Sequence, residues 1–183
     1  MYQYHTHTDN YEIGNKIRLR KRAIAHLDSV HVLDCFAGEN KIWSRIKTDA
    51  YFGIEKEKGK GRNLCGDNRK IIPALDLSRF NVIDLDTYGV PAEQLIALYK
   101  NKTFQRGTVI IYTCIFGATC GISNALLDLF GMREIRDLGY MLTFGLHGEL
   151  FNGLLAKLGV SRVWEYEVND KGFSKRYGYF NYE

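Results

Sequence analysis

Hydrophobic residues recur along the chain in two alternating patterns. Apolar positions three or four residues apart predict a helix over about 14–27, and short continuous apolar runs predict buried strands. The predicted strands cover residues 31–35, 51–55, 63–65, 80–85 and 108–113. Further helices are predicted near 41–47, over 69–76, from Pro91 to about Lys100, near 121–130 and near 147–158. Strands that alternate with helices in this way indicate a parallel sheet.

The last part of the chain changes to a strand pattern. Residues 162–168 and 173–182 predict two strands, and Asn169-Asp-Lys-Gly172 between them is typical of a hairpin turn. The elements together predict an α/β fold, with a doubly wound and mostly parallel seven-stranded sheet that ends in a C-terminal antiparallel hairpin. The chain is expected to divide into a basic N-terminal arm and helix, 1–27, and a main domain, 28–183.

The composition is that of an ordinary globular domain and gives no sign of a membrane protein. Of the 183 residues 45% are hydrophobic, yet no apolar run approaches the roughly 20 residues needed to span a bilayer. The N-terminal residues lack the apolar core of an export signal, so a cytoplasmic protein is expected. The four cysteines show no C-x-x-C spacing and are expected to be buried, reduced thiols, namely Cys35, Cys65, Cys114 and Cys120.

Positive charge is concentrated in two clusters, although the net charge is only +4. One cluster lies within 16–22 and the other within 56–62. Clustered positive charge favours a polyanionic partner, so nucleic acid is the expected partner. The residues expected to contact its backbone are Arg18, Arg20, Lys21 and Arg22. A solvated helix face beside a solvated loop is the alternative.

The first predicted strand ends in a carboxylate that is followed by a glycine turn, Asp34-Cys-Phe-Ala-Gly-Glu-Asn40. Gly38 lets the backbone approach a ligand, and Asn40 tolerates a left-handed conformation. The helix predicted after this turn would offer unpaired N–H groups to the ligand. An ordinary strand-to-helix turn without a ligand would show the same pattern.

Acidic residues also end the next two predicted strands. Glu55 lies about 20 residues after Asp34, where an acidic side chain is placed to accept both hydroxyls of a ribose. The sequence has neither G-x-G-x-x-G nor G-x-x-x-x-G-K, so the expected ligand is a nucleoside without phosphates. Asp67 is expected to accept a hydrogen bond from an adenine amine, to cap the following helix, or to do both, and Asn68 could present its backbone to the same ring.

The fourth predicted strand runs into Asn81-Val-Ile-Asp-Leu-Asp-Thr-Tyr-Gly89. Alternation places Asp84 and Asp86 on one face, with Asp86 closer to the turn and Tyr88 offering a flat ring for stacking. A carboxylate and a nearby backbone carbonyl accept both hydrogens of an exocyclic amine and orient its lone pair for methyl transfer. An acidic strand end beside a core tyrosine is the alternative.

These four segments, in this order, resemble the class I S-adenosylmethionine-dependent methyltransferases. Residues 81–91 look most like the tRNA guanine-N2 dimethyltransferases, whose strand reads Asp-x-Asp-Pro-Phe/Tyr-Gly-x-Pro. The resemblance implies a Rossmann-like methyltransferase fold, S-adenosylmethionine as cofactor and no metal. The implied cofactor-binding residues are Asp34, Phe36, Gly38, Glu55, Lys56, Asp67 and Asn68. The implied catalytic residues are Asp86, Thr87 and Tyr88, with the target amine at Asp86.

Three features depart from that family's pattern. Asn40 replaces the second glycine of the first motif, Thr87 replaces proline, and the chain is expected to lack the separate C-terminal domain of the tRNA enzymes. The expected function is methylation of an exocyclic amine of a nucleic-acid base, with RNA preferred to DNA and guanine in a tRNA-like substrate preferred. The alternatives are a methyltransferase for adenine or cytosine in DNA, one for small molecules, and a catalytically inactive module that binds the cofactor or nucleic acid.

Overall fold

A computed structural model describes residues 12–58, 60, 63–116, 122–137, 140–170 and 173–183. Its strands are β1 (His31–Asp34), β2 (Ala50–Glu55), β3 (Leu64–Cys65), β4 (Val82–Asp86), β5 (Val109–Phe116), β6 (Trp164–Asp170) and β7 (Phe173–Asn181). These seven strands form one sheet in the order β3-β2-β1-β4-β5-β7-β6. The first five run parallel and β7 is antiparallel to both of its neighbours, so the predicted fold class is confirmed.

The helices mostly follow the sequence pattern, with shifted boundaries. They are α1 (Ile13–Ala23), α2 (Asn68–Ile71), α3 (Ala92–Lys100), α4 (Asn124–Phe130) and α5 (Tyr140–Lys157). Gly131 ends α4 in a left-handed conformation with a φ of 64°, which glycine adopts without strain. The helix predicted over 69–76 is shorter, because α2 gives way to a 3-10 turn at Ile72–Ala74.

The helix predicted near 41–47 is wrong. This segment contains a single 3-10 turn, Trp43–Arg45, after which Ile46 is extended with a φ of −126° and a ψ of 131°. Trp43 and Ile46 are both buried. Tryptophan, serine and isoleucine are only moderate helix formers, so the burial of these two side chains decides the local structure. The expected N–H groups of a helix N-terminus therefore do not follow the β1 turn.

The sheet carries an apolar cluster on each face. One cluster joins the sheet to α3, α4 and α5, and the other is covered by α1. In the second cluster Leu19 and Ala23 of α1 are packed with Val32, Val109 and Tyr177 of the sheet. The predicted division after residue 27 therefore does not separate two packing units, because α1 shares the core of the domain.

The strand order places acidic residues at one edge of the sheet. The order reverses direction between β1 and β4, and ligands of open α/β sheets bind at such a point, outside the carboxyl ends of the strands. Asp34 of β1 is the register partner of Asp84 in β4, and Asp86 lies opposite Thr113 of β5. Glu55 ends β2 at the same edge.

Two other predictions have mixed outcomes. Cys35 and Cys114 are buried as expected, but Cys65 is exposed at the end of the short edge strand β3, so the prediction of burial is wrong there. Cys120 lies outside the described residues.

None of the helices in the described residues has the length and apolar character needed to cross a membrane.

Candidate active site

The site residues predicted from the sequence line two adjoining clefts at the carboxyl edge of the sheet. The first, which we call the α1 cleft, is lined by Lys16, Arg20, Asp34, Gly38, Asn40, Asp84 and Asp86, among others. The second, the β3 cleft, is lined by Lys56, Asp67, Asn68, Thr87 and Gln94, among others. Phe36, Glu55, Glu57 and Tyr88 line both. All the predicted cofactor and catalytic residues therefore meet at one place.

The turn after β1 has the backbone conformation expected from its sequence. Gly38 and Asn40 both have positive φ angles, 51° and 54°, and Asn40 is the single non-glycine residue with this property in the described part of the chain. The Gly38 N–H donates to Glu55 Oε2 over 2.7 Å, which fixes the turn against the end of β2. The side-chain oxygen Oδ1 of Asn40 is buried, and none of the described residues donates a hydrogen bond to it, so it is a candidate acceptor for a ligand donor.

Glu55 is held in place by backbone groups on either side of it. While Oε2 accepts from Gly38, Oε1 accepts from the N–H of Glu57 over 3.0 Å. A carboxylate has about four lone-pair sites, so two further acceptor positions remain for ligand hydroxyls. Glu55 lies between the two clefts and is a fixed acceptor for either.

Asp84 and Arg20 form a buried ion pair that the sequence pattern does not indicate. Nε of Arg20 lies 2.6 Å from Oδ2 of Asp84, and Nη2 of Arg20 lies 2.8 Å from Oδ1. The indole N–H of Trp43 also donates to Oδ2 over 2.6 Å. Burial opposes the charge of Arg20, but the carboxylates of Asp84 and Asp86 outweigh it and raise the pKa of Arg20. Asp84 is therefore a structural acceptor that fastens α1 to the sheet.

Asp86, the predicted acceptor of the target amine, is also engaged by α1. The ammonium Nζ of Lys16 lies 2.8 Å from both carboxylate oxygens, and Nη2 of Arg20 lies 3.3 Å from Oδ2. Burial alone would raise the pKa of Asp86, but the positive charges of Arg20 and Lys16 lower it below the ordinary value. Asp86 is thus an ionised carboxylate at neutral pH, as an amine acceptor must be.

Asp34 differs from Asp86 because its pKa is raised above the ordinary value rather than lowered. Its Oδ1 accepts from the Phe36 N–H over 3.0 Å, and its Oδ2 accepts from the Tyr51 hydroxyl over 3.1 Å. Burial and the nearby negative charge of Asp84 raise the pKa of Asp34 to about 8. The turn therefore contains a proton that a cationic ligand group would expel.

The contribution of Asp34 to the stability of the protein is expected to fall as the pH rises from about 4 to about 8. The folded state holds the Asp34 proton up to a pKa of about 8, whereas the unfolded chain releases it near the ordinary value of 3.8, so raising the pH favours unfolding. Asp34→Asn should remove this contribution and gain stability relative to the wild type across that range. Urea unfolding at a series of pH values measures it, with Asp128→Asn as the exposed control. Parallel pH curves for wild type and Asp34→Asn would contradict the assignment.

Asp67 caps α2, and its adenine role remains a prediction. Its Oδ1 accepts from the Arg69 N–H over 3.0 Å, and the Arg69 side chain pairs with it. The bond to the guanidinium lowers the pKa of Asp67 to about 2. Asn68 is buried and its side chain joins Cys35 O to Gln94, so only its backbone is left for a ligand.

Hydrogen bonds hold the turn that contains Thr87, the position at which the tRNA enzymes that the sequence resembles have proline. The Thr87 N–H donates to Leu85 O over 2.9 Å, and the Ile115 N–H donates to Gly89 O over 2.9 Å. Gly89 has a φ of 108°, which favours glycine. Tyr88, at the top of this turn, is 60% exposed, so its ring faces solvent at the mouth of both clefts rather than the core.

The basic cluster of α1 divides into two groups. Arg20 is fully buried in its ion pair, so its predicted contact with a nucleic-acid backbone is wrong. Arg18, Lys21 and Arg22 are exposed, and the guanidinium of Arg22 lies 4.4 Å from the centre of the Trp164 ring. The spacing of the basic residues does indicate this division, because Lys16 and Arg20 are four residues apart and therefore share one face of the helix.

Solved structures of methyltransferases share the Rossmann-like fold of this chain. A SAM-dependent methyltransferase from Archaeoglobus fulgidus is similar with a TM-score of 0.56 and 12% identity, over 91% of this chain and 92% of that one. Trm1 from Pyrococcus horikoshii, in complex with S-adenosyl-L-methionine, is similar with a TM-score of 0.57 and 16% identity, over 97% of this chain but only 56% of that one. The N-methyltransferase NodS from Bradyrhizobium japonicum is similar with a TM-score of 0.52 and 10% identity, over 96% of this chain and 98% of that one.

These similarities establish the fold, whereas sequence comparison adds nothing to it. No protein-family model matches the chain, and no curated protein matches it by sequence. The chain spans little more than half of Trm1, so the substrate of that whole protein does not carry over with the fold. Among the described residues, no group of three or more histidine, cysteine or acidic side chains is placed to hold a metal ion.

Proposed function

We propose that this protein is an S-adenosylmethionine-dependent methyltransferase that acts on an exocyclic amine of a nucleic-acid base, with guanine in RNA preferred. The observation that carries the proposal is the meeting of Glu55 and Asp86 at adjoining clefts beside the β1–β4 reversal. Glu55 is a fixed acceptor for a nucleoside, and Asp86 is an ionised acceptor for an amine.

The residues of the site fit the cofactor. The unpartnered Asn40 oxygen and the carboxyl of Asp34 offer acceptors for a cationic amino group, and Glu55 offers acceptors for ribose hydroxyls. Asp67 and the backbone of Asn68 would border the adenine. When bound, S-adenosylmethionine supplies an electrophilic methyl group on a sulfonium ion.

The acceptor side of the site orients an amine. Asp86 accepts a hydrogen bond from the amine N–H, which leaves the nitrogen lone pair directed away from the carboxylate. The exposed ring of Tyr88 offers a stacking surface for a base that has left its helix. Fixing the nitrogen in this way supplies rate by positioning, so the chain needs no strong base.

The preference for RNA guanine has two supports. Residues 81–91 resemble the tRNA guanine-N2 dimethyltransferases, and Trm1 shares the fold. The exposed side chains Arg18, Lys21 and Arg22 lie on α1, the helix that borders the α1 cleft, and would contact phosphates. A small-molecule methyltransferase is the second candidate, because NodS shares the fold over nearly its whole length.

Methyl transfer from labelled cofactor to separate pools of tRNA, genomic DNA and small amines tests the proposal. The expected result is label in RNA, recovered as N2-methylated guanosine after digestion to nucleosides. Label only in DNA or only in small amines would contradict the proposed substrate. Cofactor binding by calorimetry without label in any pool would indicate an inactive binding module.

Glu55→Ala is expected to weaken binding of S-adenosylmethionine by about 1.5–3 kcal/mol, the usual contribution of a charged hydrogen bond. The variant removes the proposed ribose acceptor and also frees the Gly38 N–H. Calorimetry at constant pH measures the affinity, and Glu149→Ala, an exposed position on α5, is the control. Unchanged affinity would remove Glu55 from the ribose role.

A further inference from the structure

The acceptor carboxylate already holds an amine of the chain itself. Nζ of Lys16 lies 2.8 Å from each oxygen of Asp86, so an ammonium group fills the place proposed for the target amine. Because Arg20 also contacts Asp86, a substrate nitrogen that is to use this carboxylate competes with Lys16 for its oxygens.

The two cations that contact Asp86 differ in their ability to leave. The Arg20 side chain is 1% exposed and is anchored to Asp84 by two short bonds. The Lys16 side chain is 21% exposed and contacts Asp86 through a single flexible stem. Lys16 is thus the exchangeable cation, whereas Arg20 keeps Asp84 and Asp86 in place throughout.

Replacement of Lys16 changes the charge balance of the cleft. The exocyclic amine of a base is neutral, so it cannot replace the positive charge that Asp86 loses. The displaced ammonium also needs a partner. The neighbouring acids Glu39 and Glu57 already pair with Lys41 and Lys60, each over 2.7 Å, and Glu55 of the same cleft is assigned to the ribose of the cofactor. An anion carried by the substrate is the missing partner.

We infer that Lys16 is a specificity-determining residue that admits an amine to Asp86 when the same molecule carries a phosphate for the released ammonium. The inference rests on the proposed function and narrows its substrate to nucleotides and polynucleotides rather than free nucleosides. Lys16 releases Asp86 and pairs with the phosphate, so the number of ion pairs is unchanged. A nucleoside makes the same exchange without compensation and binds more weakly.

Calorimetry with adenosine, cytidine, guanosine and their 5′-monophosphates tests this, at saturating S-adenosylhomocysteine. The wild type should bind a monophosphate at least about tenfold more tightly than its nucleoside. Lys16→Met should bind the nucleoside more tightly than the wild type does and lose the preference for the monophosphate. Lys16→Arg, which keeps the charge, should retain the preference. Lys47→Met, an exposed position outside both clefts, is the charge-matched control and should behave as the wild type.

The outcomes separate this inference from the proposed function. An equal preference for monophosphates in Lys16→Met and wild type would overturn the role of Lys16 while leaving a nucleotide-binding site intact. An absence of preference in the wild type would overturn it as well. If S-adenosylhomocysteine binds but no nucleoside or monophosphate binds to either the wild type or Lys16→Met, the result would instead overturn the nucleic-acid substrate and this inference with it. Thermal melting of each variant confirms that binding is compared between folded proteins.

Discussion

Asp86→Asn is expected to lower the rate of methyl transfer at least about a hundredfold while cofactor affinity stays nearly constant. Asparagine keeps the volume of the side chain but replaces one acceptor oxygen with an N–H donor and removes the charge. The target amine then loses its fixed orientation, whereas the cofactor groups at Glu55 and Gly38 are untouched. Single-turnover transfer to RNA, with calorimetry of the cofactor, separates the two quantities.

The control for this experiment is an acid outside the clefts. Asp128→Asn changes the same chemical group on the exposed surface of α4 and should leave transfer unchanged. Because Asp86 also pairs with Lys16, the melting temperature of Asp86→Asn must be measured alongside. Transfer within threefold of the wild-type rate would show that the acceptor residue is elsewhere.

Arg20→Met is expected to lower the free energy of unfolding by about 3–5 kcal/mol, the usual cost of removing one partner of a buried ion pair. Asp84 would lose both guanidinium bonds and keep the hydrogen bond from the indole N–H of Trp43. The buried carboxylates of Asp84 and Asp86 would then repel each other with less compensation. Urea unfolding measures the change.

Two further variants make this expectation specific to the ion pair. Arg18→Met removes a guanidinium from the exposed face of the same helix and should change stability by no more than about 0.5 kcal/mol. Adding Asp84→Asn to Arg20→Met should restore part of the lost stability, because the uncompensated charge is then gone. A loss below about 1 kcal/mol for Arg20→Met would mean that the pair contributes little to folding.

The sheet and its acidic edge could be predicted because each depends on local pattern. The apolar runs before Asp34, Glu55 and Asp86 end where the strands end, and parallel strands bring those ends together. The left-handed Asn40 was also predictable, since asparagine tolerates that conformation more readily than most residues. Local sequence was sufficient wherever the backbone alone decided the outcome.

The contacts of α1 could not be predicted from the same information. Arg20 belongs to a basic cluster that reads as a solvated or phosphate-binding surface, and its partner Asp84 is far away in the sequence. The sequence pattern predicts a helix around Trp43, but the burial of Trp43 and its indole hydrogen bond to Asp84 determine the local structure instead. Both errors have one physical cause, because tertiary packing on the sheet overrode a local preference.

The position of α1 also bears on the order of events during synthesis. This helix precedes the seven described strands, yet it packs beside Val109 of β5 and Tyr177 of β7, the last of those seven. As the chain leaves the ribosome, α1 has no complete docking surface until β7 has emerged, so its burial is a late, long-range step. Lys16 therefore reaches Asp86 only in a nearly complete domain, so the contact that occupies the acceptor carboxylate is among the last features of the site to form.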